Sequence, residues 1–491
     1  MKHNLSTTGV LTLVISGSLF LVNGCFTVGP DYTPPGTSTP VNWTAELNAS
    51  LTNKATDLET LSCWWTRLND PVLSDLMEQA RTNNLDVSQA EARLREARAQ
   101  RGATKADLFP TLAANASASR TRSSEKNGAR TTSSLFANGL DARWELDIFG
   151  RKRRTLEAAD ATLQASWEDL SDVLVSLFAE VALNYVEVRE YQLRLSLTKS
   201  NIAARAEACD ITRWRYESGL TTQLDVDQAR LSFEQARADI PSLQTSLEQS
   251  KHRLAVLLGK SPGALKQLLA ETGIIPVPPA KIAVGVPADV LRQRPDVRRA
   301  ERKLAAQTAQ IGVAKAARYP DLSLLGSIGL ESLKLDDLYT SGAQTAQAAA
   351  NATWTLFDFG RIRRNIEIQT ALQEEALGFY ESTVLTALED VENAMVAYAN
   401  EQTRHRSLLE AARAGQSAYD LALNQYSSGL VDFQTVLDMQ RSLLTVQDQL
   451  VSSDGEITSD LIRLYKALGG GWISLPTNNT AGKKNTSGDK P

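Results

Sequence analysis

The chain offers few side chains with which to carry out catalysis. Its three histidines, His3, His252 and His405, stand far apart, and no metal-ligand spacing surrounds them. A phosphate-binding glycine loop and a nucleophile elbow are absent from the sequence as well. The formal net charge of −5 argues against a nucleic-acid partner, which requires a basic face. We therefore expect a protein that is not an enzyme and that uses no metal, cofactor or nucleic acid.

One cysteine stands in a chemically informative place. Residues 1–24 carry a basic Lys2 and then an apolar stretch too short to span a bilayer, which is the pattern of a secretory signal peptide. The segment ends in Val-Asn-Gly before Cys25, similar to a bacterial lipobox, in which the cysteine is acylated. An ordinary signal peptide with an incidental cysteine is the alternative. We predict lipid on Cys25. Cys63 and Cys209 are left either to form a disulfide in the oxidising periplasm or, as we favour, to remain two packed thiols, and the sequence does not decide between these.

The chain repeats itself at a constant offset of 210 residues. The stretch from Trp144 to Arg154 returns from Trp354 to Arg364, and seven of its eleven positions are identical. Such an offset, kept with hardly an insertion, indicates a duplicated structural unit. The copies are placed at residues 84–259 and 294–469. Further identities at this offset include Pro110 with Pro320, Gly219 with Gly429, and Tyr216 with Tyr426.

Each copy is predicted to begin with a helix and to continue with two strands. The helix stops at Pro110 or Pro320, because proline lacks the N–H and clashes with the preceding turn. Two runs of Thr, Ser and small residues follow, separated by a polar, turn-forming loop. A Phe-Gly-Arg border at Gly150 or Gly360 closes the second run. The predicted strands span about residues 111–121, 134–148, 322–332 and 345–357.

A very long helical hairpin completes each copy. Between Leu163 and Val181, apolar residues spaced alternately by four and three form a heptad stripe among charged residues. Helices of this kind pack as coiled coils in water. The 66 residues from Arg151 to Tyr216 would rise roughly 100 Å as one helix, about three times the thickness of a bilayer core. The hairpin is expected to reverse at Gly219 or Gly429, where glycine suits a left-handed cap.

The number of strands predicts the assembly. Four strands cannot close a barrel, and lipid does not tolerate open sheet edges. Three chains supply twelve strands, an even number wide enough for an aqueous lumen, whereas the eight strands of a dimer would be filled by side chains. We therefore predict a mixed α+β membrane protein with a trimeric twelve-stranded β-barrel. The long coiled-coil helices would project far from the membrane.

Several motifs in one order resemble a known family. Cys25 is followed by Val28–Pro35, by Trp64-Trp65 with Asp70-Pro71, and by the Arg- and Pro-rich stretch Pro287–Glu301. Together with the two Phe-Gly-Arg borders, these motifs are similar to the TolC-like outer-membrane factors, in particular their lipoprotein (NodT/OprM-type) branch. The resemblance covers nearly the whole chain from residue 25 to about 475. It implies the outer-membrane exit duct of a tripartite efflux pump in a Gram-negative bacterium, in which the β-barrel is continuous with a long α-helical coiled-coil barrel.

The resemblance also implies partners and a domain plan. The homotrimer would sit in outer-membrane lipid, anchored by Cys25, and its tips would meet a periplasmic adaptor protein. The adaptor would link it to an inner-membrane pump of the RND type, so that small molecules such as drugs pass outward. The remaining segments would be 25–83 as lipid-anchored N-terminal and equatorial part, 260–293 as linker and equatorial segment, and 470–491 as a disordered tail.

Relatives narrow the tunnel at the second helical tip, which points to Tyr426, Gln434 and Asp438 as the periplasmic gate. Gln434 and Asp438 are four residues apart and so share a helix face. Threefold symmetry would turn Asp438 into a carboxylate ring. The alternative is that Asp438 is an ordinary solvated helix residue. Adaptor docking is predicted at Tyr216, Gly219, Tyr426 and Gly429, and barrel–helix junctions at Pro110, Gly150, Pro320 and Gly360.

Two other functions stay open at this point. The outer-membrane duct of a type I protein secretion system would have the same architecture, and a coiled-coil lipoprotein without a pore would share the heptads. The strand pairs argue against the second, since a purely coiled-coil protein has no use for them. The substrate is not encoded in the duct, because the pump selects it.

Overall fold

The structure is a computed structural model that describes residues 27–36, 40–44, 51–52, 58–124, 126 and 131–472. The predicted signal peptide and Cys25 lie outside the described residues. In chain order the elements are β1 (Leu51–Thr52), α1 (Leu58–Ser62), α2 (Pro71–Asn83), α3 (Leu85–Ala106), β2 (Thr111–Arg122), β3 (Thr132–Leu146), α4 (Arg151–Glu217), α5 (Gln223–Leu257), β4 (Ile282–Ala283), α6 (Pro287–Gln293), α7 (Pro295–Ala316), β5 (Asp321–Ser332), β6 (Gln344–Thr353), α8 (Arg361–Ser427) and α9 (Phe433–Ala467).

The element bounds reproduce the offset of 210 residues. Helix α3 and helix α7, strand β2 and strand β5, α4 and α8, and α5 and α9 begin and end at positions 210 apart. Helices α4 and α8 each run for 67 residues, roughly 100 Å at 1.5 Å per residue. The duplicated unit predicted from the sequence is confirmed.

One compact unit contains the sheet and comprises the described residues of Met1–Thr37, Ala92–Trp167 and Arg299–Ser382. Its four strands are antiparallel in the order β2-β3-β5-β6. Within the sheet, the two copies meet at the β3–β5 pair, in which Leu140 lies opposite Ile328. Strands β2 and β6 form the two edges, and their residues are almost all exposed.

The strands end earlier than the sequence predicted. Strand β3 stops at Leu146 rather than at residue 148, and β6 stops at Thr353 rather than at residue 357. The cause lies in the partner strand, because β5 begins at Asp321 and pairs with Thr353 there. Pro320, the residue before it, has no N–H to extend the ladder. The strand starts that follow Pro110 and Pro320 agree with the prediction.

The other compact unit comprises the described residues of Ser38–Glu91, Glu168–Arg298 and Thr383–Pro491. Its core includes Trp64, which is 1% exposed and stacks on Tyr465 with 5.3 Å between ring centroids. Strand β1 pairs in parallel with β4, and Trp43 Nε1 donates a 2.9 Å hydrogen bond to the Gly285 carbonyl. Parts of the two segments that the sequence assigned to the equatorial belt therefore pack against each other.

Helix α4 is buried on more sides than its heptad stripe predicted. Leu177 and Val181 of the stripe lie in the core, but Val175, Phe178 and Tyr185 are buried as well. Side chains of α2 and of the segment after α5 belong to the same core, so they cover faces that a two-helix coiled coil would leave polar. Among the described residues, no helix combines the length and the apolar character needed to cross a membrane.

Three residues that the sequence assigned to the disordered tail are held in place. The Gly470 N–H donates to the Tyr465 carbonyl at 2.8 Å, and the Gly471 N–H donates to the Leu61 carbonyl at 3.1 Å. The guanidinium of Arg298 lies 5.2 Å from the ring centroid of Trp472. These contacts extend the packed part of the chain to residue 472.

Candidate functional site

Both helical hairpins reverse through the same backbone motif. Gly219 and Gly429 have φ angles of 73° and 75°, a region that glycine adopts without the steric cost of a Cβ. Each tip has the two hydrogen bonds of a Schellman cap, which satisfy the last carbonyls of the helix. The left-handed caps predicted at these glycines are confirmed. The bonds, 2.8–2.9 Å long, join Gly219 N to Tyr216 O and Leu220 N to Arg215 O, and Gly429 N to Tyr426 O and Leu430 N to Gln425 O.

The returning helices α5 and α9 begin with N-terminal caps in which threonine and aspartate exchange places. In α5 the Asp225 carboxylate accepts from the Thr222 N–H at 3.1 Å, and in α9 Asp432 accepts from the Thr435 N–H at 2.9 Å. Hydrogen bonds, first from Thr221 and then from Thr222, hold the pKa of Asp225 below its usual range. Thr435 lowers the pKa of Asp432 in the same way. Both helices therefore start with a carboxylate, which complements the helix dipole.

An apolar cluster joins the two tips of one chain. Cys209 of α4 and Ala229 of α5 are buried with Tyr426 of α8 and Phe433 of α9, so all four helices contribute. Cys209 is 7% exposed and carries a free thiol. Cys63 is also a free thiol. The two hairpins are therefore packed together near their turns and do not move as isolated arms.

Tyr426 lies inside this cluster. Its side chain is 6% exposed, and its ring centroid lies 5.4 Å from that of Phe433. Arg215, from the first hairpin, places its guanidinium carbon 4.5 Å from the ring centroid, and its Nη1 donates to the Tyr426 carbonyl at 3.4 Å. The repeat-related Tyr216 is instead 44% exposed. Burying the ring removes apolar area from water, which explains why Tyr426 turns inward.

Gln434 and Asp438 lie on an exposed face of α9. Gln434 Nε2 donates to Asp438 Oδ1 at 2.9 Å, so the predicted common face is confirmed. The nearest cation is Arg441, whose Nη1 lies 3.9 Å from the same oxygen, with both side chains about half exposed. Such a pair contributes little free energy. In the single chain, Tyr426 is buried, whereas Gln434 and Asp438 are exposed.

At the first barrel–helix junction, the N-terminal segment packs on the start of α4. Gly150 has a φ of 82°, and a Cβ there would lie 2.7 Å from Thr27 Cγ2, so both the backbone and the close approach require glycine. Arg154 is 3% exposed. It donates to the Val28 carbonyl at 3.2 Å and pairs with Asp31 at 2.7 Å. A buried arginine therefore fixes the segment that follows Cys25.

The second junction is more open. Phe359 is 93% exposed, and the Arg364 side chain is 76% exposed and pairs with Glu367 of the next turn at 2.6 Å. Gly360 keeps the left-handed conformation of its repeat-related glycine, with a φ of 88°. At each junction, a tryptophan indole N–H donates to a carbonyl in the turn that follows the preceding helix. Trp144 donates to the Leu108 carbonyl at 2.9 Å, and Trp354 donates to the Arg318 carbonyl at 2.9 Å.

Comparison with protein families accounts for this arrangement. The model of the family described as outer membrane efflux protein matches residues 76–260 and again residues 286–470, which is once for each copy. This chain belongs to the outer membrane efflux protein family. Its two copies match the same model at the offset of 210 residues that the sequence displays.

Relatives of this efflux protein cover nearly its whole length. Nodulation protein T of Rhizobium leguminosarum bv. trifolii is 33% identical, over 96% of this chain and 98% of its own. The probable efflux pump outer membrane protein TtgC of Pseudomonas putida is 31% identical, over 95% and 96% of the two chains. The solved structure of the outer-membrane channel OprN has a TM-score of 0.86 and 35% identity, and covers 91% of this chain and 99% of its own.

These findings confirm the resemblance and the fold class derived from the sequence. The efflux protein has the fold of TolC-family outer-membrane channels, mostly helical with an antiparallel sheet. It is an outer-membrane efflux channel of a Gram-negative bacterium. The family transports molecules, as do the relatives that are named for efflux. Neither the family nor these relatives are named as enzymes.

Sequence reasoning missed one residue of the tips, Arg215. It directly precedes Tyr216, but its ring partner Tyr426 is 211 residues away in the other hairpin. The only sequence signal was indirect: the repeat-related residue is Gln425, so the first tip has a cation where the second has none. Where two otherwise matching tips carry different residue types, as at Arg215 and Gln425, the surroundings of that position differ between the copies.

Proposed function

We propose that the efflux protein is the exit duct of a tripartite pump, working as a lipid-anchored homotrimer. The observation that carries the proposal is the four-stranded sheet with β2 and β6 as its edges. Lipid does not tolerate unpaired edges, and three copies supply the twelve strands of a closed barrel around an aqueous lumen. Pairing with a periplasmic adaptor and an inner-membrane pump of the RND type completes the export route.

The lipid anchor is proposed at Cys25. Thr27, two residues later in the sequence, packs against Gly150 at the start of α4. Fixing the chain there leaves only a short stretch to the acylated residue, so the lipid would enter the leaflet beside the junction. The acyl chains would then reach the lipid without an additional folded linker between Cys25 and the barrel.

The cargo is proposed to be small molecules. Relatives in Pseudomonas putida are named as outer membrane proteins of an antibiotic efflux pump and of a toluene efflux pump. Those names favour small-molecule efflux over the secretion of proteins. The pump selects among small molecules, because the duct has only to provide a wide, water-filled lumen.

Gating and docking are assigned to the tips. Gln434 and Asp438, exposed and hydrogen-bonded to each other, are proposed to narrow the lumen, with Tyr426 supporting them from inside the cluster. Tyr216, Gly219 and Gly429 are proposed to meet the adaptor. Tyr216 is exposed, and no atom lies within 4 Å of a Cβ built on either glycine.

Two measurements test the proposal. Light scattering corrected for detergent should give a protein mass of about 160 kDa, from three chains of 53.5 kDa before signal removal. Deletion of the gene in its own host should raise the accumulation of an apolar fluorescent dye, and the intact gene should restore efflux. A stable monomer, or unchanged dye accumulation after deletion with the paired pump present, would overturn it.

A further inference from the structure

We infer that Arg120 and Arg122, near the end of β2, bind the phosphate groups of a lipid in the outer leaflet of the outer membrane. This site rests on the proposed twelve-stranded barrel and adds to it a lipid ligand of stated chemistry. Strand β2 begins at Thr111, after the turn that ends α3, and stops at Arg122, before the loop to β3. In an outer-membrane duct that continues into the periplasm from its barrel–helix junctions, this loop end of the sheet faces the cell exterior.

The sheet has one apolar and one polar face. Successive side chains of a strand point to opposite faces, and all three strand pairs keep an uninterrupted register. Leu112 lies opposite Ala142, and it shares its face with Leu140 and Ile328. The other face carries five charged residues, namely Asp141, Arg143, Glu145, Asp321 and Glu331. In a water-filled barrel, the apolar face contacts lipid and the polar face lines the lumen.

Two arginines interrupt the apolar face. Arg120 and Arg122 follow Leu112 by even numbers of residues, so all three side chains point the same way. Both arginines are exposed, and within β2, β3, β5 and β6 no other charged residue lies on that face. A cation on the lipid-facing side of a barrel is unfavourable at the bilayer midplane but is tolerated near the interface. The height of the two arginines in the membrane therefore decides what they contact.

The length of β2 places both arginines at the outer border of the apolar band. With a rise of about 3.4 Å per residue and a tilt of about 40°, Arg120 lies roughly 21 Å and Arg122 roughly 26 Å from Leu112 along the barrel axis. The apolar band of such barrels is about 25 Å tall. The guanidinium groups therefore reach the layer of lipid headgroups.

Aromatic residues mark the two borders of the band. Near the loop end, Phe136 lies opposite Ala118 on the apolar face. The Tyr339 hydroxyl, on a ring that is 75% exposed, accepts a 3.1 Å hydrogen bond from Nδ2 of Asn138, which belongs to the same face. At the junction end, Trp144 lies on this face as well and is exposed. Aromatic side chains prefer the two interfaces of a membrane, so these rings support the height assigned to the arginines.

The charge of this hairpin end favours a phosphate ligand. The loop after Arg122 contains Lys126, Arg130 and a single acid, Glu125, so that four cations stand against one carboxylate. A guanidinium group presents a planar fork of N–H donors that matches the oxygens of a phosphate. The outer leaflet of a Gram-negative bacterium is built of a phosphorylated lipid, lipopolysaccharide. Its phosphates supply the negative charge that the hairpin end lacks.

The second hairpin has no such site. The residues repeat-related to Arg120 and Arg122 are Leu330 and Ser332, and the following loop contains Asp336 and Asp337. Each chain therefore has one site, beside β2, and a trimer has three.

Binding of lipid A, the phosphorylated anchor of lipopolysaccharide, tests the site. Native mass spectrometry of the delipidated full-length trimer in detergent should show lipid A bound about 30-fold more tightly than the same lipid without its phosphates, from about five-fold for each arginine near a membrane surface. Arg120→Gln combined with Arg122→Gln should abolish this preference. Either single variant should lower it about five-fold.

Matched variants separate the role of the charge from general damage. Arg143→Gln removes an arginine from the polar face of the neighbouring strand and should leave the preference for lipid A unchanged. Arg120→Lys combined with Arg122→Lys keeps both charges but loses the guanidinium fork. Its preference should lie between those of the wild type and the double glutamine variant.

Cysteine labelling tests which face contacts lipid. In a background with Cys63→Ser and Cys209→Ser, which keeps Cys25, a water-soluble maleimide is added to outer membranes. Ser117→Cys should react much faster than its neighbour Ala118→Cys, because the reagent enters the lumen while lipid covers the other face.

The outcomes separate this inference from the proposed function. In a trimer of the expected mass, equal binding of the two lipids, equal labelling of the two cysteines, or displacement of lipid A by inorganic phosphate at the same concentration would overturn the lipid site and leave the duct standing. A double glutamine variant that no longer forms trimers, although the double lysine variant does, would also overturn it, because the arginines would then belong to a subunit contact. Absence of the trimer in the wild type would overturn the proposed assembly.

Discussion

The contact between Arg215 and Tyr426 gives a sharp test of how the tips are held. Arg215→Ala removes a guanidinium that lies 4.5 Å from the centroid of a ring only 6% exposed. Cation–π contacts contribute about 0.5–1 kcal/mol at exposed sites and about 2 kcal/mol when desolvated. The hydrogen bond from Arg215 to the Tyr426 carbonyl is long, at 3.4 Å, and adds little. We therefore expect each subunit to lose about 1–2 kcal/mol of tip stabilisation.

A loss of that size changes an equilibrium about 5- to 30-fold. Purified Arg215→Ala trimers in planar bilayers should therefore open more often than wild type, by about that factor for each subunit whose contact holds the narrowed state. The mass of the trimer and its delivery to the outer membrane should stay the same, because Arg215 does not belong to the compact unit that contains the sheet.

Three further variants separate the contact from general damage. Tyr426→Ala should open as often as Arg215→Ala, because it removes the same pair. Tyr426→Phe should match wild type or open less, since the Tyr426 hydroxyl is buried without a hydrogen-bond partner among the described residues. Tyr216→Ala, at the exposed counterpart, is the matched control. Unchanged opening of Arg215→Ala, or a Tyr426→Phe channel that opens as often as Tyr426→Ala, would refute the reasoning.

Three other predictions concern the anchor, the gate and the caps. Mass spectrometry of the mature N-terminal peptide should find acylated Cys25, and an unmodified Cys25 would contradict the lipobox interpretation. Asp438→Ala should raise conductance and weaken block by divalent cations, while substitution of its counterpart Gln228 should do less, because no charge is removed. The pKa of Asp225 is lowered by the hydrogen bonds from Thr221 and then Thr222, so its cap is complete above the ordinary aspartate pKa of about 3.9 and is lost only as the pH falls through the lower pKa of the folded state. The protection factors of the amides in the first turn of α5, which are corrected for the intrinsic exchange rate at each pH, should decrease in that range, and Asp225→Asn should remove this decrease.

The backbone of this fold was predictable from the sequence because its signals are local. A proline that ends a helix and a glycine that reverses one act through φ and through a missing N–H or Cβ, whatever packs nearby. Pro110 and Pro320 therefore marked the strand starts, and Gly219 and Gly429 marked the turns of the hairpins. Duplication strengthened each signal, because every one of them occurs twice at the same spacing.

Contacts between separate elements could not be predicted in the same way. Arg215 and Tyr426 meet only because the two hairpins of one chain face each other, and spacing along either helix does not encode that pairing. For the same reason the sequence grouped Tyr426 with Gln434 and Asp438, although its ring is buried in the cluster. The end of β6 at Thr353 likewise depended on where its partner strand begins.

The two copies have diverged where their surroundings differ and have stayed alike where the backbone decides. The junction glycines Gly150 and Gly360 share one conformation, because each copy must make the same turn from strand to helix. The acidic partner of Arg151 instead occurs in one copy only. Asp321 of the second copy forms an ion pair with Arg151, and the repeat-related residue in the first copy is Thr111. The Arg151–Asp321 ion pair therefore joins the first copy to the second within one chain, and the repeat-related residues Arg361 and Thr111 cannot form it.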